Sequence, residues 1–346
     1  MRHQNQTATH GYHDIITPMC IAFRLSGSRW TAGLLTVALT GCVTLPIPVG
    51  AGAPQALPKE LVTYYEYPRQ TLQPTIESAK EKSGYRIQYI HLEIPGNLSS
   101  RPIRVDWYQP HRPGRLPVVL MSPILAGNDL YIREFARFYA ARGLHAVIVY
   151  RPKEVFSADR DLKDVETHFH DSVINLRQIL DWLEAQDSVD PKRIGSFAIS
   201  LGAILTTILA AVEPRIRCSV MGLPAGHIPE IIMASRDKAI RKRRKVYLER
   251  HGWSNEEALR QLQAVMVSEP MRVAPAIDPT RTLVIVGLFD RVLGLHRSLD
   301  LWQAMGRPKL IVLPTGHYSA YVATPYLKLV TYSFLRRHLG TRAGYT

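Results

Sequence analysis

From Tyr85 onward the chain alternates short apolar runs with amphipathic stretches. In Arg86–Ile94, residues Ile90, Leu92 and Ile94 fall at every second position. That is the period of a strand with one buried face. Pro95-Gly96-Asn97 is a turn signal, and Ile103–Tyr108 reads as the return strand. Val118–Met121 is a short continuous apolar run, the mark of a strand buried on both faces, and Leu144–Tyr150 again reads as a buried strand. Asp129–Ala141 between them predicts a helix, ended by Gly143 at a C′ position. Asp164–Gln186 carries Val165, Phe169, Val173, Leu176, Ile179, Leu180 and Leu183 at helical spacing. Strands follow at Arg193–Ile199, Arg217–Gly222, Thr282–Gly287 and Lys309–Leu313, with a helix over Leu201–Val212 and a closing helix over Tyr321–His338. Strands alternating with helices predict a mostly parallel, doubly wound sheet covered on both faces. The antiparallel pair leads it. Residues 61–346 form one domain in this reading.

Ala225–Pro279 breaks the rhythm as a helical, polar, basic insertion, a candidate cap or lid. Within it, Arg236–Arg250 holds eight Lys/Arg against two acids. A solvated helix face accounts for such a run, and so does contact with a membrane surface. The whole chain carries 43 Lys+Arg against 29 Asp+Glu, a formal charge of +14, which favours anionic surfaces. No nucleic-acid-binding motif accompanies the charge, so no nucleic-acid partner is expected. Three cysteines exclude a disulfide-stapled fold.

Residues 1–29 are polar and end in Arg24 and Arg29; an apolar stretch runs from Trp30 to Leu39. It is too short to span a bilayer, which takes ~20 apolar residues, but has the length of a signal-peptide core. It ends in Leu39-Thr40-Gly41-Cys42. This resembles the bacterial lipobox, in which small residues precede a cysteine that becomes lipid-modified. The resemblance implies a lipoprotein signal peptide over residues 1–41, with Met19 as an alternative start. It also implies a mature protein anchored to membrane through Cys42. Val43 after the cysteine fits sorting to the periplasmic face of the outer membrane. Pro46, Pro48, Pro54 and Pro58 with Gly50 and Gly52 make residues 42–60 a tether. Cys218 is then the remaining thiol, and it reads as buried and inert.

The densest chemical signal is Gly195-Ser196-Phe197-Ala198-Ile199-Ser200-Leu201-Gly202-Ala203, a strand, a serine and a helix in succession. A serine at a sharp strand-to-helix turn is crowded, so the residues two before and two after it must be small. The turn lifts the hydroxyl above the sheet, and the Leu201 N–H at the helix start faces a developing oxyanion. Here the chain resembles the α/β-hydrolase superfamily, over roughly Tyr85 to His338. Secreted esterases and dienelactone-hydrolase-like or peptidase-like members are the nearest in pattern. The resemblance implies the order Ser, Asp/Glu, His. Asp290 follows the strand Thr282–Gly287, and His317 follows Lys309–Leu313. Val220–Pro224 offers no acid after the earlier strand, so Asp290 is the expected third member. The loop after Val118–Met121 is Ser122-Pro123-Ile124-Leu125-Ala126-Gly127. Pro123 has no N–H to donate, so the expected second oxyanion donor is the N–H of Ile124, with that of Leu125 as the alternative. Two departures stand out: no histidine supports that loop, and Ala198 replaces the commoner first glycine of the elbow.

His168-Phe169-His170 places two histidines two apart on a helix, where they diverge and chelate poorly. No metal and no cofactor are expected. The reading is a carboxylic-ester hydrolase acting through Ser200, Asp290 and His317 on a small-molecule, lipid or polymer ester. The alternatives are acyl transfer or peptide cleavage by the same residues, and a non-catalytic envelope binding protein on the same fold.

Overall fold

The computed structural model describes residue 50 and residues 52–94, 102–124, 129–151, 162–236 and 238–340. In chain order the elements are α1 (Lys59–Tyr64), β1 (Pro74–Lys82), β2 (Tyr85–Leu92), β3 (Ile103–Pro110), β4 (Leu116–Ser122), α2 (Leu130–Ala140) and β5 (His145–Val149). Then come α3 (Leu162–Glu184), β6 (Val189–Ile199), α4 (Leu201–Val212) and β7 (Ile216–Gly222). The insertion supplies α5 (Ile228–Ala234), α6 (Lys238–His251), α7 (Asn255–Val265) and α8 (Pro270–Val273). The chain closes with β8 (Thr282–Gly287), α9 (Leu295–Ala304), β9 (Lys309–Leu313) and α10 (Thr324–Leu339).

The strands form one nine-stranded sheet in the order β1-β2-β3-β5-β4-β6-β7-β8-β9. β1, β2 and β3 pair antiparallel, and β3 meets β5 antiparallel; from β5 to β9 every neighbour is parallel. β1 is absent from the hydrophobic pattern because all nine of its residues are exposed. Its backbone pairs with β2, and its lysines and glutamates mark it as an edge that discourages further pairing.

Alternation along β6 assigns the two faces. Gly195, Phe197 and Ile199 face α2 and α10: a Cβ on Gly195 would lie 3.2 Å from Leu335 and Leu339, and the Phe197 ring stands 4.6 Å from that of Phe135. Tyr139 and Thr331 join α2 to α10 by a 2.7 Å hydroxyl pair. α3 and α4 cover the other face. α4 is apolar all round, as a helix must be when it lies between a sheet and further helices.

The insertion is helical, as its sequence predicts, and is tied down at its end. Buried Glu166 of α3 accepts from the N–H and hydroxyl of Ser268 and from the Tyr64 hydroxyl, while Tyr65 donates to Ser268 Oγ. Glu269 accepts the N–H groups of His227 and Ile228, closing the loop onto the N-terminus of α5. Among the cations of Arg236–Arg250, Arg244 Nη1 donates to the carbonyls of Ile232, Met233 and Ser235 at the end of α5.

The described part of the expected tether runs along the domain. Gly50 N–H donates to Arg307, Gln55 N–H to Pro275, and Leu57 packs against the core. Proline-rich backbone can lie on a surface in this way because it brings few N–H donors of its own. Residues 1–49, with the apolar stretch and Cys42, lie outside the described residues. Among the described residues no helix is long and apolar enough to cross a membrane.

Candidate active site

Parallel strands present their carboxyl ends on one side, and ligands of such sheets bind where the strand order reverses. Here β4 is followed outward by β5, and the chain then crosses to β6 on the other side of β4. The register pairs Ser122 of β4 with Ala198 of β6, so Ile124 and Ser200 both stand two residues beyond a paired position.

Ser200 takes φ 57° and ψ −125°, left-handed backbone that a side chain rarely adopts. The surroundings hold it there. Its N–H donates to Gly222 at 2.8 Å, and its carbonyl accepts the N–H of Ile204 at 3.0 Å as α4 begins. The spacing of small residues has a local cause. A Cβ on Gly202 would stand 2.3 Å from the Ser122 carbonyl oxygen, so the helix meets the β4 loop in direct backbone contact.

The loops after β8 and β9 are laced together. Leu288 N–H donates to Leu313 and Phe289 N–H to Thr315, while Gly287 lies so near the Thr315 carbonyl that a Cβ would reach it at 2.8 Å. This brings Asp290 and His317 side by side. Asp290 Oδ2 accepts from His317 Nδ1 at 2.7 Å, and Oδ1 accepts the N–H groups of Val292 and Leu293 at 2.9 and 3.1 Å. Burial pushes the Asp290 carboxyl up. The His317 hydrogen bond and charge, with the two backbone donors, outweigh it and hold the group below its ordinary range. A carboxylate can only accept, so Nδ1 carries a proton, and in the neutral imidazole Nε2 is then the acceptor. Nε2 stands 2.9 Å from Ser200 Oγ. All three side chains expected at the site therefore meet, though 117 and 27 positions separate the paired residues. Asp290 is 6% exposed and Ser200 8% exposed, so water screens the chain of bonds poorly.

This architecture recurs in solved structures. The acetyl xylan esterase from Paenibacillus sp. R4 aligns with a TM-score of 0.62 at 15% identity, over 83% of this chain and 97% of that one. Acetyl xylan esterase 1 from Thermoanaerobacterium sp. JW/SL YS485 aligns at 0.59 and 16% identity, over 89% and 99%. The chain has the α/β-hydrolase fold. No family model matches it. Among curated proteins, Rv2627c of Mycobacterium tuberculosis, an uncharacterised protein, is 23% identical over 180 residues, 52% of this chain and 41% of that protein. The esterase FrsA of Escherichia fergusonii is 26% identical over 153 residues, 44% of this chain and 35% of its own length. The chain thus spans less than half the length of the curated relatives it matches.

The two residues expected to supply oxyanion donors follow the neighbouring strands β6 and β4. Leu201 is the first residue of α4, where a helix leaves its N–H groups without helical partners. Ile124 follows β4. One residue escaped the sequence reading: Arg151, just beyond β5, donates from Nη2 to the carbonyls of Pro123 and Ile124 at 2.7 and 2.9 Å. Its sole sequence signal was its place, next after the buried run Leu144–Tyr150.

The other candidate residues lie apart from the site. His170 pairs through Nδ1 with Asp171 and through Nε2 with the Tyr64 carbonyl, and His168 is buried beside Ser172. Cys218 is buried in β7, and burial pushes its thiol up to about 12, which makes it inert.

Proposed function

We propose that the chain is a serine hydrolase that cleaves carboxylic esters through Ser200, His317 and Asp290. The observation that carries this reading is the Ser200–His317–Asp290 hydrogen-bond chain ending on a serine held at φ 57°. Nε2 of His317 takes the Ser200 proton as Oγ attacks the carbonyl carbon. The negative charge that develops on the carbonyl oxygen is met by the N–H groups of Leu201 and Ile124. The imidazolium then gives its proton to the departing alcohol, leaving an acyl-enzyme. Water repeats the sequence and releases the acid. Asp290 holds the tautomer and stabilises the imidazolium throughout.

The acyl group is small in this proposal. The names of the two acetyl xylan esterases make acetylated polysaccharide a first natural-type substrate to assay.

The decisive experiment is labelling of the protein with a fluorophosphonate probe, beside Ser200→Ala and His317→Ala, followed by turnover of p-nitrophenyl esters of graded chain length. Labelling abolished in Ser200→Ala and sharply reduced in His317→Ala supports the reading, with acetate turned over faster than octanoate. A folded protein that neither labels nor turns over any ester would sink it.

We further propose that the protein acts at the bacterial envelope, lipid-anchored at Cys42 on the periplasmic face of the outer membrane. The apolar stretch and Leu39-Thr40-Gly41-Cys42 support this. Metabolic labelling with a fatty-acid analogue tests it: incorporation lost in Cys42→Ser is expected, and unlabelled wild-type protein would overturn it.

A further inference from the structure

Arg151 is a half-buried charge that the proposed reaction does not use directly. Its Nη1 is shut off from solvent and has no hydrogen-bond partner among the described residues. Asp129 influences it through charge, and burial lowers its pKa to about 10. A guanidinium nitrogen enclosed without a hydrogen-bond partner among the described residues is costly to keep. What it does hold is the β4 loop, through the paired bonds from Nη2 to the Pro123 and Ile124 carbonyls.

A trans peptide unit is planar, so its C=O and N–H point in opposite directions. Pinning the Pro123 carbonyl toward Arg151 therefore turns the Ile124 N–H to the opposite side. The same carbonyl is confined from a second direction, since a Cβ on Gly202 would stand 2.8 Å from it. The peptide between Pro123 and Ile124 thus has its carbonyl side held by Arg151 and α4. Pro123 has no N–H, so the Ile124 N–H is the first donor the loop can offer beyond Ser122. No histidine in Ser122–Gly127 supports the loop. The neighbouring strand supplies the support instead.

We propose that Arg151 is the positioning residue of the oxyanion hole, fixing the peptide whose Ile124 N–H meets the developing charge. This rests on the serine-hydrolase reading above. Arg151 touches no reacting atom; it acts through the orientation of one peptide. A donor fixed before the reaction needs no reorganisation as charge develops, and removing one such donor costs on the order of 100-fold or more in kcat.

The test compares wild type, Arg151→Lys and Arg151→Met, all as full chains. Four quantities are read: kcat and KM on p-nitrophenyl acetate, the inhibition constant of a trifluoromethyl ketone, that of the unreactive methyl ketone, and Tm. The trifluoromethyl ketone adds Ser200 Oγ to its carbonyl and places an oxyanion in the hole; the methyl ketone binds without that charge. For Arg151→Met we expect kcat down about 100-fold with KM within about threefold, and the trifluoromethyl ketone weakened by a similar factor. The methyl ketone should stay within about threefold. Lysine, able to reach a carbonyl with a single ammonium, should recover part of the loss. Equal weakening of both ketones, or unchanged kcat in Arg151→Met, would overturn the proposal. Should Arg151→Met fail to fold, Arg151→Lys decides alone by the same split between the two ketones. Failure of the underlying reading looks different: wild type itself would neither label at Ser200 nor turn over ester.

Discussion

Gly202 and Ser122 touch backbone to backbone: the hydrogen on the Gly202 Cα occupies space in which a Cβ would lie 2.3 Å from the Ser122 carbonyl oxygen. In most helices, exchanging glycine for alanine gains about 1 kcal/mol. At this position the obstacle is backbone, which cannot swing aside, so Gly202→Ala must displace the loop that carries Ile124. Overpacking of this kind costs about 1–3 kcal/mol. The expected outcome is a lower Tm together with at least a tenfold loss of ester turnover. A variant with wild-type kcat would separate this loop from the chemistry.

Ser200 carries backbone strain that glycine would not. A non-glycine residue in such a region costs on the order of 1–3 kcal/mol. Ser200→Gly should therefore abolish turnover while raising resistance to urea by about 1 kcal/mol. Ser200→Ala removes the nucleophile but keeps a Cβ at φ 57°, so it should gain less. Equilibrium denaturation of the three proteins checks the order.

Asp290→Asn should preserve the fold and remove the tautomer. Oδ1 is claimed by the N–H groups of Val292 and Leu293, so an asparagine would keep its oxygen there. Its NH₂ would then face Nδ1 of His317. Nδ1 would have to accept, Nε2 would carry the proton, and Ser200 would face a donor where it needs a base. A fall in kcat of about 10⁴-fold at neutral pH is expected, with Tm little changed. Steady-state kinetics beside thermal denaturation decides it.

His145 gives the domain an acid sensitivity that lies apart from the site. Its ring is 1% exposed, accepts from the Trp107 indole at Nδ1 and donates from Nε2 to the Ser188 carbonyl. Burial holds its pKa down to about 4. An unfolded histidine titrates near 6.5, so between about pH 6.5 and 4 the unfolded chain binds a proton that the folded one refuses. The stability that His145 contributes is present in full above that window and declines as pH falls through it, by at most ~1.4 kcal/mol per pH unit. Below about 4 both states are protonated and the slope disappears. Denaturation of wild type and His145→Gln at pH 7, 6, 5 and 4 should show a shallower decline in the variant.

What the sequence determined by itself were the features that local chemistry writes along the chain. A continuous apolar run marked β4, and a nearly continuous one marked β5, because a strand covered on both faces has little room for polar side chains. The helix Leu201–Val212 and the strands Thr282–Gly287 and Lys309–Leu313 were legible to the residue, since their ends coincide with abrupt changes of polarity. Ser200 was legible because its turn demands small neighbours in sequence. Asp290 and His317 were legible because each follows a buried strand, and the hydrolase order says what to seek there.

Tertiary structure decided what depends on partners distant in the chain. β1 has no hydrophobic signature, because an exposed edge strand is held by backbone bonds rather than by apolar side chains. The helix α9 was passed over between two clear strands. The tether carried turn-forming prolines and glycines, yet its backbone found acceptors at Arg307 and Pro275. The 2.7 and 2.9 Å contacts that link Asp290, His317 and Ser200 exist because the β8 and β9 loops hydrogen-bond to each other. Arg151 shows the limit most plainly. An arginine after a buried strand looks like any surface cation, and its meaning lies in two carbonyls of a loop that the sequence places 27 and 28 positions away. Periodicity records which way a side chain faces; which backbone atoms it meets is set by the crossing of strands, and that is written in no single segment.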